Sequence, residues 1–200
     1  MELGVASTLG DAPAGRISSR LRTVSQYQAV ERYFVQGPRY RLGTELNWLT
    51  GPFSLRGEFS HMRVSREKQS LFLTDLPDLI VRGWYLGGTW MLTGEKKEER
   101  TEPAKPLFQG GIGAVELAAR YEQHRFASDT DAGTPQRNPR ASNVARNSDR
   151  MWTFGVNWYL NVWGRIQANY IHETIEDPFR SPIESRTRFR TFVTRLQFVM

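Results

Sequence analysis

Apolar and polar positions alternate along most of this chain. The clearest case is Arg82 to Glu95, RGWYLGGTWMLTGE. Trp84, Leu86, Gly88, Trp90 and Leu92 share one parity; Gly83, Tyr85, Gly87, Thr89 and Met91 share the other. A period of two predicts a β-strand whose successive side chains point to opposite faces. One face is large and apolar, and the other carries no charge between Gly83 and Met91. Trp84 and Trp90 are separated by roughly 20 Å at ~3.4 Å per residue. That is close to the height of the apolar band of a membrane β-barrel, which aromatic girdles flank. The strand is expected to face lipid on one side and water on the other.

The same alternation marks other strands. Leu3, Val5 and Leu9 share a parity in Glu2 to Leu9. Gly10 to Gly37 reads as a long polar connection opened by GDAPAG. In Arg39 to Leu49, Tyr40, Leu42, Leu46 and Trp48 oppose Arg39, Arg41, Glu45 and Asn47. Thr50-Gly51-Pro52 is a tight turn. In Phe53 to Val64, Phe53, Leu55, Gly57 and Phe59 oppose Arg56, Glu58 and Ser60, and a polar link follows from Ser65 to Asp78. Gly94 to Gly111 is a charged link, expected to be solvated. Val115, Leu117, Ala119 and Tyr121 then oppose Glu116, Arg120 and Glu122. Ala127 to Asp149 has the composition of a mobile loop. Trp152, Phe154, Val156 and Trp158 oppose Thr153, Gly155 and Asn157; Ile166, Ala168 and Tyr170 oppose Arg165, Gln167 and Asn169. After a loop from Glu173 to Arg186, Phe192, Leu196 and Phe198 oppose Thr191, Arg195 and Gln197.

About eight strands and no helix therefore organise a single unit over residues 1–200. Short and long connections nearly alternate, the hairpin rhythm of an outer-membrane barrel with short periplasmic turns and long outer loops. The link from Gly94 to Gly111 is the one misfit, long on the short-turn side. Arg39, Arg41, Glu45, Arg56, Glu58, Glu116, Arg120, Glu122, Arg165 and Arg195 all oppose the aromatic rows. Eight strands close on an interior that side chains fill, whereas about 16 leave an aqueous channel. The strands are thus either half of a larger pore or a small closed barrel with a salt-bridged interior. In the second case the function is structural or partner-binding, without conductance. An aromatic-rich soluble β-sandwich is the third arrangement open to this pattern.

Composition narrows the classes. Hydrophobic residues make up 39% of the chain and mean hydropathy is −0.53, with no apolar run long enough for a spanning helix. Of 27 basic residues only Lys68, Lys96, Lys97 and Lys105 are lysines. Arginine offers an always-charged fork suited to phosphate and carboxylate. No nucleic-acid-binding motif accompanies the formal charge of +6. Cysteine is absent, excluding disulfides and thiolate chemistry. The start, MELGVASTLGDAPAG, lacks a basic n-region and a long h-region, as expected of a mature form, a fragment or a chain that is not exported.

Four motifs in order resemble the phosphate-selective porin O/P family of Gram-negative bacteria. LTGPFSLRGEF (Leu49 to Phe59) is similar to its xGPFSLQGEY turn, and RGWYLGGTWMLTGE to its GWYxxGSWxLTGE segment. GAVELAARYEQHRF (Gly113 to Phe126) resembles its GAWELAARYSxLD strand, and FGVNWYLNVWGRIQANY (Phe154 to Tyr170) its GxNWYLNPNVRxxxNY hairpin. The terminal RLQFVM resembles the family's closing RLQ strand. The resemblance implies an antiparallel transmembrane β-barrel of about 16 strands, of which this chain looks like the C-terminal half. It further implies a homotrimer in the outer membrane, in contact with its lipid, that passes small inorganic anions, phosphate among them, without a cofactor.

Arg41, Arg56, Arg120, Arg165 and Arg195 are the candidates for anion guidance along the lumen, because a basic lining lowers the entry barrier for anions. Alternatively, Arg56 pairs with Glu58, and Arg120 with Glu116 or Glu122. Gly83, Gly87 and Thr89 would leave lumen space for the arginines of other strands. Trp48, Trp84, Trp90, Trp152, Trp158 and Trp163 read as membrane-interface anchors or as core. His61, His124 and His172 have no metal-ligand spacing. Ser60 and His61 are adjacent, so a strand turns them to opposite faces, which disfavours a barrel hydrolase; an enzyme is not expected.

Overall fold

The structure, a computed structural model, describes residues 1–17, 22–98, 101–128 and 136–198. Its strands are β1 (Glu2–Ile17), β2 (Tyr33–Thr50), β3 (Phe53–Arg66), β4 (Leu76–Met91), β5 (Ala114–Ser128), β6 (Asn147–Tyr159), β7 (Gly164–Ile175) and β8 (Arg188–Phe198). They form one 8-stranded sheet in chain order, and each neighbouring pair is antiparallel. The expected all-β antiparallel class holds. Among the described residues, helix is confined to the one-turn segment Pro178–Arg180. β1 pairs with β2 and β8 with β7, so the sheet is open, with β1 and β8 as its edges.

The register turns the sequence alternation into two continuous faces. Leu55 lies opposite Gly88, Gly88 opposite Ala119, Ala119 opposite Phe154, and Phe154 opposite Tyr170. This aromatic face is left open: Trp84 is 38% exposed, Phe154 50% and Phe192 69%. In water such a surface would be an association site; against hydrocarbon it is the natural exterior. The polar parity of every strand builds the other face.

The strands extend further than the alternation predicts, mostly at the long-loop end. β1 continues past Leu9 to Ile17 and β4 begins at Leu76, not Arg82; β5 reaches Ser128 and β6 begins at Asn147. Two causes obscure this in the sequence. Pro13 falls in a register shift between Ala12 and Gly15, and Pro38 in one between Gln36 and Arg39. A bulge accommodates a residue without an N–H while the strand goes on. The polar parity also turns apolar at this end. Val64, Leu79 and Phe126 pack with Tyr33, Val35 and the loop residues Val30 and Val144 into a buried cluster. The alternation changes phase here, with the apolar residues inward and Arg63, Arg82 and Arg125 exposed on the outward parity. Residues 18–21, 129–135 and the last two positions of RLQFVM, Val199 and Met200, lie outside the described residues.

The β4–β5 link keeps most of its charges in solvent, Lys96, Glu98, Glu102 and Lys105 being exposed, but it is anchored to the sheet. The Lys97 N–H donates to the Gly51 carbonyl at 2.8 Å and the Leu107 N–H to the Leu160 carbonyl at 2.7 Å. Thr101 and Pro103 are buried. The charges of EKKEERTEPAKP thus belong to a segment packed against both short turns of its end, although Glu99 and Arg100 are not among the described residues.

Candidate functional site

The polar face gathers all the predicted anion-guiding arginines. Arg41 on β2 lies opposite Met62, and Arg56 on β3 opposite Gly87 of β4. Gly87 also lies opposite Arg120 of β5. One glycine thus separates two arginines, and a Cβ there would come within 3.3 Å of the Arg120 Cβ. On β7 and β8, Arg165 lies opposite Gln197, and Arg195 opposite Gln167.

Partners divide these arginines. Arg120 pairs with Glu122, Nε to Oε2 2.5 Å, and its guanidinium sits 3.8 Å from the centre of the Tyr85 ring. The alternative pairing of Arg56 with Glu58 is not made. Arg56 Nε donates to Asn47 Oδ1 at 3.2 Å, and Glu58 accepts from the Tyr85 hydroxyl at 2.8 Å. Arg165 donates to Gln197 at 2.6 Å. Arg41 and Arg195 are exposed and carry no ion pair among the described residues.

The acids behave differently. Glu116, Asp149 and Glu173 also belong to the polar parity but are buried. Glu116 does not reach Arg120. It accepts from Lys97 Nζ of the β4–β5 link, from Asn157 Nδ2 at 2.9 Å and from the Tyr159 hydroxyl at 2.9 Å. Lys97 is thereby drawn onto the polar face. Between this link, the β6–β7 turn and the β8 end lies a cavity of about 510 Å³ bordered by Arg56, Lys97, Tyr159, Trp163, Arg165 and Gln197. Basic groups remain in contact with the open space, as does Glu98, while Glu116 is withdrawn from it; Glu45 and Glu58 stay exposed elsewhere on the face.

The long-loop end holds buried polar residues the sequence did not disclose. Arg66 is fully buried and donates to three carbonyls: Nε to Phe34 at 3.1 Å, Nη1 to Ala141 at 2.9 Å and Nη2 to Pro139 at 2.9 Å. Arg140 donates to the Gln69 carbonyl at 2.9 Å and lies over the Phe34 ring. Asn147 links the Ala29 carbonyl to the Asp177 N–H, and the Val24 N–H donates to Glu173 at 3.0 Å. The loops are therefore folded over the polar face and stitched by side chains. Arg66 sits in a stretch read as a polar link and Arg140 in one read as a mobile loop, where a buried donor and a solvated one look alike. The shared parity of Val64 and Arg66 was the available signal.

Trp48, Trp84, Trp90, Trp152 and Trp158 lie on the aromatic face, and Trp163 in the β6–β7 turn. Trp158 Nε1 donates to the Ile112 carbonyl at 2.7 Å. Ser60 hydrogen-bonds the Gly83 carbonyl on the polar face, whereas His61 is on the other. No group of three His, Cys, Asp or Glu suited to a metal occurs among the described residues.

A family model described as phosphate-selective porin O and P matches residues 20–200. Porin O of Pseudomonas aeruginosa is 28% identical over 164 residues, 78% of this chain and 34% of that protein. The chain therefore spans about a third of the length of this curated relative, less than the half that its strand number suggests.

Proposed function

Because the chain belongs to the phosphate-selective porin O and P family, we propose that its sheet is part of the wall of a water-filled anion channel. It is an outer-membrane porin and not an enzyme. The two unpaired edges, β1 and β8, require further strands for closure, since an open sheet edge is not tolerated against hydrocarbon. The rest of a larger barrel of about 16 strands supplies them, and residues 1–200 act as one unit of that barrel.

The observation that carries this reading is the register. It sets Arg41, Arg56, Arg120, Arg165 and Arg195 on one face and the aromatic rows on the other. Arg41 and Arg195 stay accessible while Glu116, Asp149 and Glu173 are buried. An entering anion meets uncompensated guanidinium groups, which favour it over a cation. Each group is weakly held in place and solvated, so the anion can also leave. Phosphate is the anion that the family description points to, and it suits the arginine fork. Assembly as a homotrimer belongs to the same reading.

Selectivity measurements test the proposal. In the full-length protein in planar bilayers, Arg165→Ala with Arg195→Ala is expected to lower chloride and phosphate permeability relative to potassium. An unchanged reversal potential overturns the role of these residues.

A further inference from the structure

The aromatic face is not charge-free along its whole height. At the long-loop end each of several strands carries a basic residue two positions beyond an aromatic one on the same face. The pairs are Trp84 with Arg82, Trp152 with Arg150, Phe192 with Arg190, and Phe59 with His61. Two residues along a strand span roughly 7 Å, so the cations stand one step above the girdle, at the depth of the lipid head groups. Arg63, Arg125 and Arg188 extend the strip on β3, β5 and β8. At the short-turn end this face shows Trp48, Phe53, Trp90, Leu117 and Trp158, with no charge. The two rims of one face therefore differ in charge.

Most of the strip lacks its own counter-charge. Arg63 pairs with Asp78 at 2.7 Å. Arg82, Arg125, Arg150, Arg188 and Arg190 are exposed and form no ion pair among the described residues. Arg82 Nε donates to His61 Nδ1 at 3.3 Å, a neutral acceptor. Arg82 and Arg125 are direct cross-strand partners. Like charges so placed repel, with Cβ atoms about 5 Å apart. A phosphate between the two forks would remove that repulsion and satisfy both with paired charge-assisted hydrogen bonds.

We infer that the long-loop rim of the aromatic face is a docking strip for an anionic lipid with clustered phosphates, centred on Arg82 and Arg125. Its acyl chains lie along the aromatic face below, and its phosphates bridge the arginines of neighbouring strands. The strip is separate from the polar face and the anion path. It rests on the membrane-channel reading, because only a bilayer places lipid on this face.

The test uses the full-length porin, washed in detergent and then exposed to micelles doped with phosphorylated lipid A or with phosphatidylethanolamine. Lipid retained per folded barrel is read by native mass spectrometry. The wild-type protein is expected to keep lipid A and not phosphatidylethanolamine. Arg82→Gln with Arg125→Gln is expected to cut lipid A retention about tenfold, the weight of one lost charge-assisted contact, without altering conductance. Arg188→Gln with Arg190→Gln gives a second reading on a different strand and is expected to reduce retention as well. Equal retention by wild type and both variants overturns the strip. A folded barrel that keeps lipid A but passes no current overturns the channel reading alone, because retention is scored independently of conductance.

Discussion

The two ends of the polar face are closed by opposite means. At the long-loop end several loops converge and make a small apolar core of their own, with Val30, Tyr33, Val35, Leu79, Phe126 and Val144 in contact. At the short-turn end one link folds back and is held chiefly by polar contacts to Glu116, Gly51 and Leu160. The first arrangement draws on burial, which is cooperative and insensitive to salt. The second draws on a few directed contacts that can be undone one at a time. The long-loop end is therefore expected to behave as a fixed constriction. The short-turn end is the part that single substitutions can open.

The largest effect is expected where the apolar core depends on one polar residue. Arg66 is buried with all three of its described bonds ending on backbone carbonyls, one at Phe34 and two in the loop at Pro139 and Ala141. Arg66→Ala removes the donor from all three acceptors, of which the Pro139 carbonyl keeps the Phe34 N–H at 3.4 Å, and opens a void beneath the loops. Each stranded buried acceptor costs about 1–3 kcal/mol, so destabilisation of the loop assembly by about 3 kcal/mol or more is expected. Proteolysis of residues 136–146 in the folded, detergent-solubilised protein measures it. Cleavage as slow as in wild type would show that the core holds without its arginine, and would erase the contrast between the ends.

Much of this contrast was hidden in the sequence, for a physical reason. Alternation reports a strand with one wet and one greasy face, and it located the middle of most strands correctly. Where loops cover the polar face, as around Val64, Leu79 and Phe126, the inward parity becomes apolar while Arg63, Arg82 and Arg125 stand exposed on the outward one, so the alternation changes phase. Pro13 and Pro38 added turn signals inside continuous strands. The five arginines could be assigned to one face because parity survives in mid-strand. Their partners could not be assigned, because pairing depends on cross-strand neighbours. Glu116 was matched in sequence with Arg120, yet it faces Asn157 across the strand and takes Lys97 from the link above. A composition as charged as EKKEERTEPAKP says nothing about which lysine turns inward.

A smaller effect is expected at the point where the β4–β5 link re-enters the sheet. Gly113 has φ of 79°, and its N–H donates to the Lys105 carbonyl at 3.0 Å. A Cβ there would stand 2.2 Å from the Tyr159 carbonyl oxygen. Gly113→Ala therefore meets both a left-handed backbone and a backbone clash, and costs about 2 kcal/mol. The link is expected to lift from the β6–β7 turn while the strands stay paired. Single-channel recording should show a larger and noisier conductance. A conductance equal to wild type would mean that the link does not narrow this end.

The mildest substitution separates the link's charge from its backbone path. Glu116 presents two oxygens to donors only: Lys97 Nζ on one, and Asn157 Nδ2 and the Tyr159 hydroxyl on the other. Glu116→Gln keeps the volume but turns an amide N–H₂ toward at least one of those donors. Either Lys97 loses its acceptor or Asn157 and Tyr159 lose theirs. The expected loss is about 1–2 kcal/mol, smaller than at Gly113 because the Gly51 and Leu160 contacts of the link remain. That energy is about a tenfold rise in local opening, which trypsin reads as faster cleavage after Lys96 and Lys97. If cleavage there accelerates while the 136–146 loops stay protected, the two ends open independently. If both accelerate together, the polar face is one cooperative unit, and the difference between burial at one end and directed contacts at the other does not govern how the channel opens.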